Sequence, residues 1–189
     1  MDALAEQLDN AVTDAKARAS RIKLMAFDVD GVLSDGSLFY TDEGVEIKAF
    51  NSLDGLGLNL LRKAGITIAV ITGRNTRNVA ARMQQLGIDL LFQGVKNKLE
   101  VMQDLLAKLG ITAEEAGFMG DDIIDLQVMA ACGFSATPAD SHHLAKRYAC
   151  LISSKDGGRG AVREVCEFIL DAQGKLDAVI APYLPVSGS

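Results

Sequence analysis

The chain has 189 residues, 49% of them hydrophobic and only 5% aromatic, which predicts one domain over residues 1–189 with an aliphatic core. Its formal net charge of −6 argues against nucleic-acid binding, because phosphate backbones are held by clustered lysine and arginine. No apolar run is long enough to span a bilayer, and residues 1–21 lack the apolar stretch of a signal peptide. We therefore expect no membrane association and a cytoplasmic protein, for which the widely spaced Cys132, Cys150 and Cys166 predict free thiols.

Strand-like and helix-like segments alternate along the chain after a leading helix that helical spacing predicts over residues 3–20. Apolar runs predict six strands, at residues 22–29, 66–71, 90–92, 116–119, 133–136 and 149–152. Amphipathic patterns predict helices at residues 53–63, 77–86, 98–109, 123–131, 142–146 and 161–170. This alternation is typical of an α/β fold with a Rossmann-like, doubly wound and mainly parallel sheet. Three of the helices are followed by a glycine at the position that favours a left-handed residue, namely Gly65, Gly87 and Gly110.

One segment, residues 36–50, interrupts the alternation and predicts a protruding β-hairpin whose turn contains Gly44. An isolated two-stranded hairpin is only marginally stable in water. Several of its side chains are too apolar for a fully solvated ribbon: Leu38, Tyr40, Val45 and Ile47. Its apolar side therefore packs either on a partner subunit or on its own domain. The C-terminal tail, residues 174–189, has a short helical pattern and then a loose end.

Asp28 and Asp30 come directly after the first predicted strand, two positions apart. Side chains with that spacing share one face of a strand. Two like charges about 4 Å apart repel by about 4 kcal/mol at an effective dielectric near 20, so a shared proton or a cation must offset them. Taken alone, the pair fits an acidic turn as well as it fits a ligand site.

Polar side chains also follow the second and third predicted strands. Thr72 and Arg74 flank a glycine, where a hydroxyl and free backbone N–H groups can cradle an anion. Alternatively, Thr72 caps the next helix and Arg74 makes a surface ion pair. Lys98 opens a helix, where positive charge opposes the helix dipole unless an anion is bound there. Lys96, two residues earlier, is expected to be solvated.

The fourth such strand is followed by Asp121, Asp122 and Asp125. Asp122 is an ordinary candidate for capping the next helix, whereas Asp121 is not needed for that role. All four strand ends lie on one edge of a parallel sheet, which is the edge where ligands bind in α/β folds. Carboxylates, a hydroxyl and a lysine together suit a divalent cation plus a phosphoryl group, and Mg²⁺ takes oxygen ligands of this kind.

Four segments resemble, in order, the motifs of the haloacid dehalogenase-like phosphohydrolases: DVDGVLSD, ITGR, the region of Lys98, and GDDIID. Further segments are similar to the phosphatases of 3-deoxy-D-manno-octulosonate 8-phosphate, an eight-carbon sugar acid phosphate on the route to lipopolysaccharide. These segments are GVEIKAF in the hairpin, DGLGLNLL, and GGRGAVRE. The gaps between the motifs are too short for a cap domain, so the expected fold is an uncapped haloacid dehalogenase-like domain.

The resemblance implies a Mg²⁺-dependent phosphatase in which Asp28 is the nucleophile and Asp30 the general acid and base. It implies a metal site made by the Asp28 carboxylate, the Asp30 carbonyl and Asp121, with Asp125 supporting it. Sugar-acid phosphates with nine carbons, an acylneuraminate or ketodeoxynononate 9-phosphate, are the alternative substrates. A binding or regulatory module without turnover is the alternative outside the enzymes.

The remaining implied contacts concern substrate and assembly. Thr72 and Lys98 are expected to bind the phosphoryl oxygens, and Arg74 and Arg159 to meet the sugar acid's carboxylate or its phosphate. An uncapped site is open to water, so we expect a neighbouring subunit of a homotetramer to close it, through the hairpin and the tail.

Overall fold

The structure of the chain, a computed structural model, describes residues 2–185, and describes side chains from residue 11 onward. The leading helix is present, but the side chains of Leu4 and Leu8, on which its spacing partly rested, lie outside that description. The end of the predicted loose tail, residues 186–189, also lies outside it. Within the described part of the chain, no helix has the length and apolar character needed to cross a membrane.

Six strands form one sheet in which every neighbouring pair is parallel. The strands are β1 (Leu24–Phe27), β4 (Thr67–Ile71), β5 (Leu90–Phe92), β6 (Ala116–Met119), β7 (Phe134–Thr137) and β8 (Leu151–Ile152). Their order across the sheet is β5-β4-β1-β6-β7-β8. Two further strands, β2 (Phe39–Tyr40) and β3 (Glu46–Ile47), pair with each other in antiparallel fashion. The predicted α/β class with a doubly wound parallel sheet is confirmed.

Helices cover both faces of the sheet. They are α1 (Asp2–Ala19), α2 (Ser52–Lys63), α3 (Arg77–Leu86), α4 (Lys98–Leu109), α5 (Leu126–Ala131), α6 (His143–Tyr148), α7 (Ala161–Ala172) and α8 (Leu176–Ile180). The side chains of β1 alternate between two buried clusters, as the period of a strand requires. Met25 and Phe27 pack with residues of α1, α2, α3 and α7, whereas Leu24 and Ala26 pack with residues of α4, α5 and α6.

Glycines end three helices as predicted, with positive φ angles of 83° at Gly65, 64° at Gly87 and 66° at Gly110. Several predicted bounds differ from the structure by one or two residues, and two of the differences concern segments next to the predicted site. β1 ends at Phe27 rather than at Val29, because the chain turns there and the N–H of Ser34 donates back to the Val29 carbonyl at 2.9 Å. The helix predicted over 123–131 divides into a 3₁₀ turn, Ile123–Asp125, followed by α5.

The predicted hairpin is formed by β2 and β3, with Phe39 opposite Ile47 and Tyr40 opposite Glu46. Its apolar side chains are not covered by the described part of the chain, since Phe39, Tyr40 and Ile47 are each 55% exposed. Burial of the apolar side on the hairpin's own domain, the alternative prediction, is therefore not found among the described residues. A surface of this kind is typical of an interaction site.

Candidate active site

A pocket of about 240 Å³ lies at the carboxyl ends of β1, β4 and β6, which are three adjacent strands of the sheet. Its walls come from the segments that follow these strands, which is the edge that the sequence predicted. The residues that line it are Asp28, Asp30, Gly31, Gly36, Thr72, Gly73, Arg74, Asp121, Asp122 and Ile124. The structure thus brings together five of the predicted site residues, contributed by three different strand ends.

Lys98 joins two carboxylates beneath this pocket. Its Nζ lies 2.9 Å from Oδ2 of Asp28 and 2.6 Å from Oδ1 of Asp125, and all three residues are buried. Burial lowers the pKa of Lys98, but Asp28 and Asp125 more than offset this and leave it above its ordinary value. We call these three residues, together with Asp121, the floor cluster. Asn97 fixes the start of α4 by accepting from the backbone N–H groups of Leu99 and Glu100, which places Lys98 on the first turn.

Asp125 has both of its carboxylate oxygens engaged. Oδ1 accepts from Lys98, and Oδ2 accepts from the backbone N–H groups of Asp121 at 3.1 Å and Asp122 at 3.5 Å. The side chain is fully buried. These contacts shape the turn that carries Asp121, so Asp125 orients a neighbouring carboxylate rather than offering a free oxygen of its own.

The floor cluster carries more negative than positive charge. Oxygens of Asp28, Asp121 and Asp125 lie within 4.8 Å of one another. Within residues 11–185, Oδ1 of Asp28 is buried without a hydrogen-bond partner. Burial raises the pKa of Asp28 to about 6 and, with Asp28 and Asp125 nearby, raises the pKa of Asp121 to about 8. An unpartnered oxygen among crowded carboxylates fits a hard divalent cation held by Asp28 and Asp121.

Thr72 directly follows β4 and is a buried residue at the wall of the pocket. Its hydroxyl oxygen accepts from the backbone N–H of Arg74 at 3.4 Å. The next helix, α3, begins at Arg77 and has Thr76 at its N-terminal cap position. The alternative that Thr72 caps this helix is therefore wrong, and its hydroxyl shapes the turn at the pocket instead.

Arg74 combines the two alternatives that the sequence left open. It lines the pocket, and its Nη2 also lies 2.5 Å from Oε2 of Glu46 and 3.1 Å from the hydroxyl oxygen of Tyr40, both on the hairpin. Glu46 also contacts Lys48, whose ammonium in turn contacts Asp30. We call Asp30, Glu46, Lys48 and Arg74 the rim network. It ties the hairpin to two of the predicted site residues.

Arg159 stands apart from the pocket. Its side chain is 67% exposed, and its guanidinium lies 3.0 Å from the Asp35 carboxylate, in a neighbouring recess of about 150 Å³. Its loop packs on the loop that follows Asp30, with the N–H of Gly158 donating to the Val32 carbonyl at 2.9 Å. A Cβ atom at Gly157 would lie 1.9 Å from the Gly31 carbonyl oxygen, so only glycine allows this close approach.

Two polar residues near the site were missed by the sequence reasoning. Lys48 is buried in the rim network, and its sequence signals are its place in the segment GVEIKAF and its alternation with Glu46 along a hairpin strand. Asp54 is buried on α2 and accepts from the N–H groups of Gly160 at 3.3 Å and Arg163 at 2.9 Å. The hint for Asp54 in the sequence was Gly160, which stands before α7 and has no side chain to cap that helix.

Comparisons with known proteins agree with this geometry. Residues 43–133 match the model of the haloacid dehalogenase-like hydrolases. The chain is 48% identical over 164 residues to the 3-deoxy-D-manno-octulosonate 8-phosphate phosphatase KdsC of Escherichia coli K12, which covers 87% of each protein.

Two solved structures are similar over most of their length. The phosphatase of the same name from Moraxella catarrhalis, crystallised with magnesium, phosphate and KDO, has a TM-score of 0.88 and 44% identity, over 90% of this chain and 98% of that one. The cobalt-bound phosphatase from Haemophilus influenzae has a TM-score of 0.82 and 42% identity, over 85% and 94%. Similarity of this extent shows that the chain belongs to the haloacid dehalogenase-like hydrolases, in the family of the 3-deoxy-D-manno-octulosonate 8-phosphate phosphatases.

Proposed function

We propose that the protein is a Mg²⁺-dependent phosphatase that hydrolyses 3-deoxy-D-manno-octulosonate 8-phosphate to the free sugar acid and phosphate, in lipopolysaccharide biosynthesis. The observation that carries this proposal is the floor cluster. It sets an unpartnered oxygen of Asp28 beside Lys98 and Asp121 at the end of the central strand. The identity to phosphatases named for this substrate supports the choice of sugar acid.

In the first half of the reaction, a carboxylate oxygen of Asp28 attacks the phosphorus atom. A new Asp28–phosphorus bond forms, the bond from phosphorus to the sugar oxygen O8 breaks, and an aspartyl phosphate results. The leaving alkoxide takes a proton from the Asp30 carboxyl group. Asp30 suits this role because it lines the same pocket two residues after Asp28 and is the more exposed of the two, at 24% against 6%.

In the second half, water attacks the phosphorus atom of the aspartyl phosphate. Asp30, now ionised, accepts a proton from that water, while the bond between phosphorus and Asp28 breaks. Inorganic phosphate leaves, and both carboxyl groups return to their starting states. Asp30 thus gives one proton to the leaving sugar and regains another from the attacking water.

Charge on the transferring phosphoryl group is stabilised by Lys98 and by the Thr72 hydroxyl, which are held in place before substrate binds. The carboxylates of Asp28 and Asp121 and the Asp30 carbonyl oxygen would hold Mg²⁺, and Asp125 orients this set through Lys98 and the backbone of Asp121. When bound, Mg²⁺ neutralises part of the negative charge that substrate and carboxylates bring together.

Arg74 and Arg159 bind the sugar acid in this proposal. Within the described residues, Nε of Arg74 is buried without a hydrogen-bond partner, although its Nη2 is paired with Glu46. That donor is available to a carboxylate or phosphate oxygen in the pocket. Arg159 contributes from the neighbouring recess, where its high exposure leaves room for a ligand.

The active form in this proposal is a cytoplasmic homotetramer in which a neighbouring subunit closes the pocket. The exposed apolar side chains of the hairpin support it, because such a surface is stabilised by burial against a partner. Sedimentation of the active enzyme tests the assembly. A protein that is strictly monomeric and fully active would contradict it.

Phosphate release measured on purified protein tests the activity. We expect the highest kcat/KM on 3-deoxy-D-manno-octulosonate 8-phosphate, lower values on the two nine-carbon sugar acid 9-phosphates, and no turnover after chelation of Mg²⁺. Asp28→Asn protein from the same preparation is the control for contaminating phosphatases. A higher kcat/KM on a nine-carbon acid, or equal turnover with chelator, would overturn the proposal.

A further inference from the structure

Lys48 is a buried cation on a hairpin that is otherwise largely exposed. Its side chain is only 1% exposed, whereas its neighbour Ile47 is 55% exposed. Burying an ammonium group is unfavourable unless anions surround it. Lys48 has two such partners, since its Nζ contacts Oδ1 of Asp30 and lies 3.1 Å from Oε1 of Glu46.

Glu46 fixes Lys48 from the side of the hairpin. Its other oxygen, Oε2, pairs with Arg74, which holds the pKa of Glu46 below its usual range and keeps it ionised. Two cations therefore alternate with two carboxylates along the rim network, from Arg74 to Asp30. With charge balanced in this way, the ammonium of Lys48 is held at a fixed position beside Asp30.

Asp30 needs such an anchor because no regular structure holds it. β1 ends at Phe27, and the chain after Asp30 turns through Gly31, which has a φ angle of 83°. Asp28 has Lys98 and the floor cluster to orient it. The corresponding contact for Asp30 is with Lys48.

Building on the proposed function, we propose that Lys48 is a positioning residue that orients Asp30 for proton transfer. By holding Oδ1, the ammonium leaves Oδ2 to carry the proton. As the bond from phosphorus to O8 breaks and that from phosphorus to Asp28 forms, the proton moves from Oδ2 of Asp30 to O8. Lys48 itself neither gains nor loses a proton.

The leaving group provides a test that a purely structural role would not satisfy. A sugar alkoxide needs a proton to depart, whereas 4-nitrophenolate departs without one. For Lys48→Met we expect kcat/KM on the sugar phosphate to fall by about 10- to 100-fold. This loss is part of the rate enhancement of roughly 10²- to 10⁴-fold that general acid catalysis contributes. On 4-nitrophenyl phosphate we expect a loss below about threefold, because that contribution is absent. Equal losses on both substrates would overturn the proposal.

Three further variants complete the design. Lys108→Met, the same change at an exposed position of α4, should leave both values unchanged. Lys48→Arg, which keeps the charge, should recover part of the loss on the sugar phosphate alone. In an Asp30→Asn background, Lys48→Met should have no further effect on the sugar phosphate, because the group it orients is gone. Additive losses would contradict the role.

Two other outcomes keep the inference separate from the proposed function. If the wild type cleaves simple alkyl phosphates but not the sugar acid phosphate, the proposed substrate is wrong. Glycerol phosphate then replaces the sugar phosphate as the alkyl substrate on which wild type and Lys48→Met are compared. If Lys48→Met does not fold, Lys48→Gln replaces it, since the amide keeps a polar group between Asp30 and Glu46. In either case, the proposal is tested by whether the variant loses more kcat/KM on the alkyl substrate than on the aryl substrate.

Discussion

Lys98 and Lys48 are both buried between two carboxylates, yet they belong to different parts of the fold. Lys98 opens α4, and its partners Asp28 and Asp125 follow two adjacent strands of the sheet. Lys48 follows β3 of the hairpin, and its partners are Asp30 and Glu46. The floor cluster is built by the framework of the sheet, whereas the rim network depends on a local insertion that folds back on the pocket.

This difference in position separates two kinds of contribution to activity. Charges on the framework are fixed by many packed contacts, and in the proposed mechanism they meet the phosphoryl group. In the same mechanism, charges on the hairpin meet the leaving group and the rest of the substrate. We therefore expect changes in the floor cluster to cost activity on every substrate. Changes in the rim network should cost activity in a manner that depends on the leaving group or on the sugar.

The largest effect is expected at the nucleophile. Asp28→Asn should lower kcat by about 10⁴-fold or more on alkyl and aryl phosphates alike, because the covalent intermediate cannot form. The fold should persist, since the amide keeps the shape of the side chain, and circular dichroism checks this. Substantial turnover by the pure variant would refute the assignment of Asp28 and, with it, the role given to the floor cluster.

Loss of Lys98 comes next. Lys98→Met should lower kcat by about 10²- to 10³-fold on both substrate types, because a preorganised charge beside the phosphoryl group is removed. It should also lower the free energy of unfolding by about 3 kcal/mol, since Asp28 and Asp125 lose their buried partner. Lys96→Met, at an exposed position two residues earlier, is the matched control. A loss that depends on the leaving group, as expected for Lys48→Met, would remove the distinction between the two lysines.

The acidic floor also predicts a pH-dependent response to metal. In metal-free protein the pKa values of Asp28 and Asp121 are raised from 3.8 to about 6 and about 8, chiefly by burial. The folded state then binds more protons than the unfolded state between about pH 4 and pH 8, so its stability falls as the pH rises through that range. Mg²⁺ should replace those protons and restore stability at the upper end.

Thermal unfolding with chelator or with Mg²⁺ measures this effect. At about 100 times its dissociation constant, Mg²⁺ should stabilise the protein by about 2.7 kcal/mol, or about 5–10 °C in Tm. The shift in Tm should be larger at about pH 8 than at about pH 6, where protons already occupy the carboxylates. Asp121→Asn should flatten the pH dependence and reduce the shift. A shift that is independent of pH would argue against a metal site in the floor cluster.

The smallest effect is expected at Arg159, which lies outside the rim network. Arg159→Ala should change the free energy of unfolding by less than about 1 kcal/mol, because it breaks only an exposed ion pair with Asp35. If Arg159 binds the sugar acid, KM should rise by up to about fivefold with kcat unchanged. Arg147→Ala, at an exposed position on α6, is the control. A fall in kcat would place Arg159 closer to the chemistry than its position indicates.

Sequence alone predicted most of the framework, because hydrophobic period and glycine stops are local signals. The bounds of β5, β6, α3 and α4 match the prediction residue for residue. β1 was predicted too long because Val29 is apolar and buried, and an apolar run does not reveal that its backbone has already turned. One helix was predicted over residues 123–131, where the structure has a 3₁₀ turn followed by a helix. The two are separate because the Asp125 side chain accepts from the backbone N–H groups of Asp121 and Asp122.

The floor cluster could be predicted and the rim network could not, for a reason of geometry. Lys98 and Asp121 follow strands of one parallel sheet, so their order in the chain already places them on one edge. The partner of Lys48 depends on the direction in which the hairpin leans, and an alternating pattern does not specify that. Arg74 was predicted to meet the sugar acid's carboxylate or its phosphate, with a surface ion pair as the alternative, and in the structure it pairs with Glu46. Roles in binding and catalysis remain predictions for all of these residues.

The central position of β1 also has a consequence for how the protein folds. Leu24 pairs with Thr67 of β4 on one side and with Ala116 of β6 on the other. During synthesis, β1, which directly precedes Asp28, therefore has one open edge until β6 has emerged from the ribosome. Its side chains are apolar on both faces, and an open edge of that kind invites pairing with other chains. We expect fragments that end before β6 to aggregate rather than to fold with a partial active site.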